Sequence, residues 1–296
     1  MLNKPIAQPS VATVPTLRER TFIYTFAIGS GLTVLAGTAA MIATNIGPGL
    51  WLRNPAAWIL TLAACAGCTR LLAAPRVTLF VLLAVLALTF AGSGQQGVHR
   101  WIGFGPVQVN AAALVLPLSL MLIARDAQPG NRFAFAIVAV LTAGLLAWQP
   151  DMSQLAALTT GLLAWAAVRR DLRSLAWIVP LALAALFVCA HQPDPLDAVP
   201  YVEGIVQLAW AVSPLLAIIS CALLLLTALS PLLLGSDIDR RPAAVALAAY
   251  FVVSSISWLF GAFPVPLVGY GLSFVLGWGI GAAALVVKRP STRSNP

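Results

Sequence analysis

Residues 205–234 read IVQLAWAVSPLLAIISCALLLLTALSPLLL and contain no charged side chain. A transmembrane helix needs about 20 consecutive apolar residues, and this run exceeds that length. The same character extends over the chain: of its 296 residues, 60% are hydrophobic and 9% are charged, with a mean hydropathy of +0.93. Soluble domains carry roughly 25% charged residues. The sequence therefore predicts an all-α, polytopic integral membrane protein, for which lipid is the main solvent.

Apolar segments of spanning length recur along the whole sequence. Ten are predicted, at residues 21–44, 55–74, 76–92, 107–124, 132–148, 152–168, 173–190, 204–234, 242–261 and 265–287. Pro214 and Pro231 are expected to bend the eighth span. The predicted organisation is a polar N-terminal tail at 1–20, a transmembrane domain at 21–288 and a second tail at 289–296.

The basic residues support this count of spans. With the N-terminus inside, fifteen of the seventeen Lys and Arg residues fall in inner segments, and only Arg53 and Arg100 fall outside. This is the positive-inside asymmetry, so both termini are predicted to be cytoplasmic. The net charge of +8 is explained by membrane orientation, and no nucleic-acid partner is predicted. Five acids accompany the inner basic residues and are expected to be their solvated partners: Glu19, Asp126, Asp171, Asp237 and Asp239.

Two stretches on the outer side carry most of the remaining charge. HQPDPLDAVPYVEG, residues 191–204, holds Asp194, Asp197 and Glu203 among three prolines. GSGQQGVHRWIGFGP, residues 92–106, is rich in glycine, which predicts a loop. Within it, Arg100 is suited to bind a phosphate or another anion bidentately. The alternative for Arg100 and its neighbour Trp101 is that both are interfacial anchors.

Two further outer segments lie at the ends of spans. In WQPDMSQ, residues 148–154, Pro150 is expected to start a helix and Asp151 to lie in its first turn, where the positive helix end favours a carboxylate. FPVPLVGYGLSF, residues 263–274, combines prolines with Gly-Tyr-Gly, which predicts an irregular backbone. Irregular backbone at membrane depth is tolerated where protein or a water-filled cavity satisfies it, so this segment is predicted to line a cavity open to the outside.

Three of these stretches together resemble one protein family. GVHRWIGFGPVQVN at 97–110, QPD at 149–151 and FPVPLVGYGLSF at 263–274 are similar to motifs of the SEDS family (shape, elongation, division and sporulation), which contains FtsW, RodA and SpoVE. Members are ten-span proteins of the bacterial cytoplasmic membrane, and the resemblance implies polymerisation of lipid II into glycan strands on the outer face. It also implies a class B penicillin-binding protein as partner.

The resemblance assigns roles to individual residues. The family keeps its catalytic aspartate in the external loop between spans seven and eight, which makes Asp197 the predicted catalytic residue and Asp194 and Glu203 its alternates. The remaining predicted site residues are substrate-binding: Arg100, Trp101, Gln149, Asp151, Tyr270 and Ser273. Glycosyl transfer needs a carboxylate base and positive charge on the leaving pyrophosphate. No organic cofactor is predicted, and a divalent cation held by the acids is left open.

The sequence also departs from the family pattern. The family's Glu and Lys at the start of the fourth span correspond to Ala113 and Leu116, and in the last motif Gly269 and Leu272 replace a Ser and a Gly. The loop between spans seven and eight is much shorter than the family's and lacks its His-Thr-Asp tripeptide. Two alternatives to catalysis therefore stay open: a non-catalytic subunit that binds a lipid-linked sugar or acts as a scaffold in a wall-synthesis complex, and a transporter or flippase.

Overall fold

A computed structural model describes residues 15–65, 68–105, 107–127 and 131–287. Within them the chain forms thirteen α-helices: α1 (Leu17–Ala43), α2 (Pro48–Trp51), α3 (Arg53–Cys65), α4 (Cys68–Ala73), α5 (Pro75–Leu88), α6 (Ala111–Asp126), α7 (Arg132–Trp148), α8 (Met152–Val168), α9 (Leu172–Ala190), α10 (Ile205–Val212), α11 (Pro214–Leu229), α12 (Arg241–Ile256) and α13 (Leu272–Val286). Short 3₁₀ segments extend three of them at Thr89–Ala91, Ser230–Leu234 and Ser257–Leu259. Helix occupies part or all of every predicted span, which confirms an all-α, multi-pass membrane fold.

Four helical segments are long and apolar enough by themselves to cross a membrane: Leu17–Ala43, Leu172–Ala190, Pro214–Leu234 and Arg241–Leu259. Shorter apolar helices cover four more of the predicted spans: Pro75–Ala91, Arg132–Trp148, Met152–Val168 and Leu272–Val286. The eighth span is interrupted as expected, because Ser213 is extended (φ −163°, ψ 126°) and Pro214 opens a new helix. Helix α1 begins at Leu17, inside the predicted tail 1–20, while residues 1–14 and the C-terminal tail lie outside the described residues.

At the outer ends of helices, two predicted span boundaries were wrong. The fourth span was expected from residue 107, but Val107–Asn110 form strand β2, which pairs antiparallel with β1 (Trp101–Phe104) before α6 begins at Ala111. Asn110 then caps α6 by accepting a hydrogen bond from the Ala113 N–H at 2.8 Å. The tenth span was expected from residue 265, but α13 begins at Leu272 because the backbone before it is irregular.

The helices pack around α6, α8, α12 and α13. Helix α8 lies along α12, and α13 lies against α6 and α3. At Gly277 a Cβ atom would come within 2.0 Å of the Ala113 carbonyl, so α13 and α6 approach at a distance that only glycine allows. Across the α12–α13 contact, the rings of Phe251 and Trp278 stack at 3.9 Å between centroids. This rigid core holds the outer helix ends in fixed positions.

Buried polar side chains link α8 to α12 inside this core. The Tyr250 hydroxyl donates to Oε1 of Gln154, and Gln154 Nε2 donates to Ser254 Oγ at 3.4 Å. Hydrogen bonds of this kind hold transmembrane helices together, because lipid offers the polar groups no other partner.

Candidate active site at the outer face

An outer cavity of about 310 Å³ opens between the loop that precedes β1 and the loop that joins α9 to α10. Its lining consists of Gln95, Arg100, Trp101, Asp194, Leu196, Asp197, Val199, Glu203, Ala262 and Phe263. These include five residues predicted from sequence as site residues: Arg100, Trp101, Asp194, Asp197 and Glu203. The fold therefore brings these five residues, and Ala262 and Phe263 from a third stretch of sequence, into one cavity, which is called the outer cavity below.

Arg100 is the cation of the outer cavity, and its position is fixed by backbone and side-chain contacts. A tight turn precedes it, in which Gln95 and Val98 exchange backbone hydrogen bonds of 2.9 and 2.8 Å. The residue is 7% exposed, and its guanidinium donates through Nη2 to Oδ2 of Asp194 and to the Pro150 carbonyl. The guanidinium carbon also lies 5.9 Å from the centroid of the Trp101 ring. Arg100 is therefore a buried, oriented positive charge rather than a mobile surface anchor.

The three acids of the outer cavity lie in three different environments. Asp194 is paired with Arg100 and its side chain is 33% exposed. Asp197 is exposed, and among the described residues it makes neither a hydrogen bond nor an ion pair. Glu203 is half-buried and accepts a hydrogen bond from the Val199 N–H at 2.8 Å. Of the three carboxylates, Asp197 is thus the one that has no hydrogen bond or ion pair with the described residues and is available to a ligand.

Burial is the main cause of the shifted pKa of Glu203. Removal from water raises the pKa of this carboxyl above its usual range, and the nearby Asp194 charge acts in the same direction. The Val199 N–H and the Arg100 charge oppose the shift without cancelling it. A carboxylate whose pKa is raised binds a proton more tightly than an exposed one, which suits a general acid or base.

Gln149 and Asp151 lie behind the outer cavity and do not line it. Gln149 is fully buried and donates from Nε2 to the Leu86 carbonyl at 3.1 Å and to Thr89 Oγ1 at 2.8 Å. Asp151 was expected in the first turn of α8; it is instead the N-cap, where its Oδ1 accepts from the Gln154 N–H at 3.3 Å. The geometry gives both residues supporting positions, and their predicted role in binding substrate stays a prediction.

Asp151 and Gln149 also leave hydrogen-bonding capacity unused. Oδ2 of Asp151, Oε1 of Gln149 and Nε of Arg100 are all buried without a partner in the described part of the chain. Unpartnered polar atoms at one place are costly, so the region behind the cavity is polar enough to hold ordered water.

Tyr270 and Ser273, the two predicted residues of the last motif, brace the loops around the cavity and do not line it. Arg53 Nη1 donates to the Tyr270 hydroxyl at 2.6 Å, and the Tyr270 N–H donates to the Tyr201 carbonyl at 2.8 Å. Ser273 is buried and accepts from the Asn110 N–H at 2.9 Å through Oγ. The predicted irregular segment is confirmed, and it connects the loop that carries Glu203 to the helical core.

Asn54 also braces these loops, and it was not predicted from the sequence as a site residue. Asn54, fully buried at the head of α3, donates from Nδ2 to the Gly269 carbonyl at 2.7 Å and accepts from the Gly271 N–H at 3.0 Å. Gly269 in turn touches the neighbouring loop, because a Cβ atom there would lie 2.4 Å from the Val202 carbonyl. The only signal in the sequence was a lone amide at the start of an apolar span.

The described residues contain no group of three or more His, Cys, Asp or Glu side chains arranged to hold a metal ion. Asp194, Asp197 and Glu203 all line the outer cavity, and a divalent cation held by these acids stays a prediction.

Comparison with solved structures identifies the architecture. Two crystal structures of the rod-shape-determining protein RodA of Thermus thermophilus, one of them an aspartate-to-alanine mutant, match with a TM-score of 0.61 and 18% identity. The match covers 89% of this chain and 96% and 95% of theirs.

The chain has the RodA fold. A chain from a peptidoglycan synthase complex, described as coordinating polymerization and crosslinking, matches with a TM-score of 0.60 and 21% identity over 88% of this chain and 96% of that one. No protein-family model matches the sequence, and no curated protein matches it. The RodA fold confirms the architecture implied by the resemblance to the SEDS family.

Proposed function

We propose that this chain is a SEDS-type peptidoglycan glycosyltransferase that polymerises lipid II on the outer face of the bacterial inner membrane, in cell division or shape control. The observation that carries the proposal is the outer cavity, where Arg100 and the carboxylates of Asp194, Asp197 and Glu203 converge within a RodA fold. Neither the cavity alone nor the fold alone would suffice, because many membrane proteins have polar outer loops and a fold does not fix an activity.

The proposed reaction uses the cavity's charges directly. The 4-hydroxyl of one sugar gives its proton to a carboxylate, and the oxygen attacks the anomeric carbon of the other sugar. The bond from that carbon to the lipid pyrophosphate breaks, and the pyrophosphate leaves with the bonding electron pair. Arg100 stabilises the negative charge that develops on the leaving group. Protein charge replaces water in this role, since the guanidinium is largely buried.

Asp197 is the proposed base, because it is the acid of the cavity that makes neither a hydrogen bond nor an ion pair among the described residues. Glu203 is the alternate, since its raised pKa makes it a stronger base than an ordinary carboxylate. If a divalent cation binds, Asp197 and Glu203 would hold it, and it would supply positive charge to the leaving pyrophosphate.

We further propose a class B penicillin-binding protein as partner. The proposal is supported by similarity to a chain of a peptidoglycan synthase complex that coordinates polymerization and crosslinking. A polymerase that releases strands outside the membrane needs a cross-linking enzyme close to its outer cavity.

A second candidate is a non-catalytic subunit that binds the lipid-linked sugar. It is favoured by Ala113 and Leu116, which stand where the family has Glu and Lys. Both are fully buried in α6 and outside the outer cavity. Arg100 is moreover already engaged by Asp194.

A polymerisation assay separates the two candidates. Purified full-length protein, alone and with its cognate penicillin-binding protein, is given labelled lipid II, and glycan strands are resolved on a gel. Catalysis predicts strands from the wild type and a loss of about 10²-fold or more in Asp197→Ala. If neither the wild type nor Asp197→Ala makes strands although both still bind lipid II, the result would support the binding subunit. Ion-dependent uptake into proteoliposomes without polymer would instead point to transport.

A further inference from the structure

We propose that a second cavity, next to the outer cavity, is a saccharide-binding subsite that holds the glycan strand while the outer cavity carries out its chemistry. This cavity, called the hairpin groove, has a volume of about 440 Å³ and lies between the 3₁₀ turn after α5 and the β1–β2 hairpin. The residues that carry the inference are Thr89, Gly92, Gln95, Trp101, Gly103 and Gln108. The inference rests on the proposed function, because it names the part of the substrate that binds there.

The chemistry of the hairpin groove differs from that of the outer cavity. The outer cavity holds one arginine and three acids, whereas no charged residue lines the groove. Its polar groups are two amides and two hydroxyls, set among glycines and one indole. Sugars carrying hydroxyl and acetamido groups are neutral hydrogen-bonding ligands with apolar ring faces, which amides and an aromatic face match. The volume lies within the roughly 300–1,000 Å³ of typical ligand sites.

The two cavities share part of their walls. Gln95 and Trp101 line both of them. Arg100 lies over the Trp101 ring at 5.9 Å, so the indole connects the charged cavity to the neutral groove. A ligand whose pyrophosphate lies near Arg100 can therefore continue along Trp101 into the groove.

The hairpin groove has a defined backbone. Gln96 (φ 49°) and Gly97 (φ 86°) form the two-residue turn that closes Gln95 on Val98. Gln149 fixes the other wall from behind by donating to Thr89 Oγ1 at 2.8 Å. A groove bounded by rigid walls loses little entropy when it binds an extended strand.

The hairpin register places an amide in the groove. Gly103 is the cross-strand partner of Gln108, and a Cβ atom at 103 would lie 3.3 Å from Gln108 Nε2. The missing side chain at 103 therefore gives the Gln108 amide room to face a ligand.

Gly92 offers a way to fill the groove without straining the fold. Its backbone is extended (φ −102°, ψ 172°), and a Cβ atom there would meet nothing within 4 Å. Gly47 is a matched control: it too is extended (φ −63°, ψ 148°), has open space around its Cβ position and lies outside the groove. The variants Gly92→Leu and Gly47→Leu thus add the same side chain inside and outside the groove.

The test measures binding of a soluble N-acetylglucosamine oligomer to full-length protein in detergent, by calorimetry or saturation-transfer NMR, independently of polymerisation. We expect the wild type and Gly47→Leu to bind equally and Gly92→Leu and Gln108→Ala to bind about tenfold more weakly. In the polymerisation assay, Gly92→Leu should make shorter strands than Gly47→Leu.

Two outcomes would overturn the subsite. One is no oligomer binding by the wild type up to about 10 mM; the other is equal binding by Gly92→Leu and Gly47→Leu. Failure of the proposed function looks different: the oligomer binds in the groove as expected, but lipid II is never polymerised.

Discussion

Two clusters of charge lie at opposite ends of this apolar bundle, and they are built differently. At the inner end, Glu19 is 3% exposed and pairs with Arg240 at 2.6 Å, and Arg240 also contacts Asp237 at 3.5 Å. Glu19 additionally accepts from the Thr16 N–H at 2.5 Å in a capping box. This group, the inner charge cluster, joins the start of α1 to the segment before α12. At the outer end, Asp197 has no such partner among the described residues.

The inner charged residues are engaged with one another and stabilise the fold, whereas part of the charge at the outer end is available to a ligand. In the inner charge cluster, the contacts of Glu19 and Arg240 account for the presence of both residues. In the outer cavity, Asp194 and Arg100 are paired, but Asp197 faces the cavity without a partner and Glu203 is half-buried at a cost that raises its pKa. Glu19 pairs with a basic residue as expected, but the expectation that it is solvated was wrong, because the start of α1 buries it. We therefore expect substitutions at the outer end to reduce activity and substitutions at the inner end to reduce stability.

Among the variants described below, Arg100→Ala should have the largest effect, which is a loss of polymerisation activity. It removes the buried cation of the outer cavity, and polymerisation of lipid II should fall by about 10²–10³-fold. Arg100→Lys should restore part of the loss, since it keeps the charge but not the planar fork. Arg173→Ala, at an exposed inner position, is the control and should match the wild type. Equal rates for Arg100→Ala and Arg173→Ala would remove Arg100 from the mechanism.

Asn54→Ala tests whether bracing of the outer loops matters. It leaves the Gly269 carbonyl and the Gly271 N–H without their partner, at a cost of about 1–3 kcal/mol each. Below the unfolding temperature, we expect a lower kcat in the polymerisation assay. Ser30→Ala, which removes the 3.0 Å hydrogen bond from Trp58 away from the cavity, should lose stability with kcat intact. A normal kcat for Asn54→Ala would show that the loops hold their position without it.

Glu19→Gln tests the inner end. The variant keeps the shape of the side chain but removes the carboxylate at 2.6 Å from Arg240, which keeps only Asp237 at 3.5 Å. The free energy of unfolding should therefore fall by about 1–3 kcal/mol. Thermal unfolding in detergent measures the loss, with exposed Asp239→Asn as the control. Polymerisation per folded molecule should not change. If it falls with stability intact, the inner charge cluster is functional and the contrast between the two ends is lost.

Glu203→Gln should change stability the least of these variants, and the size of the change should depend on pH. Because the folded-state pKa of Glu203 is raised, its contribution to stability is fully present below its unfolded pKa and is lost as pH rises through the folded pKa. A neutral glutamine does not ionise, so the variant should be slightly more stable than the wild type at alkaline pH. The difference should vanish in acid. Melting curves across pH measure it, and a pH-independent difference would contradict the burial argument.

Several features of the molecule could be predicted from local sequence. Spans follow from runs of apolar residues such as 205–234, and orientation follows from the bias of Lys and Arg. The break at Pro214 was also predictable, because proline lacks the N–H that an uninterrupted helix needs. The hairpin at Trp101–Asn110 was missed, since its glycines favour any loop and the strands are only four residues each.

The sequence by itself determined that this chain is a multi-pass membrane protein with most basic residues on one side and a small group of acids on the other, because hydropathy and charge act over short stretches of chain. Only the tertiary structure decided which of those groups meet. Arg100 and Asp194 are separated by 94 positions, and Asn54 reaches Gly269 across 215. Such contacts depend on how helices pack, which is set by close approaches such as Gly277 against Ala113 rather than by any local pattern.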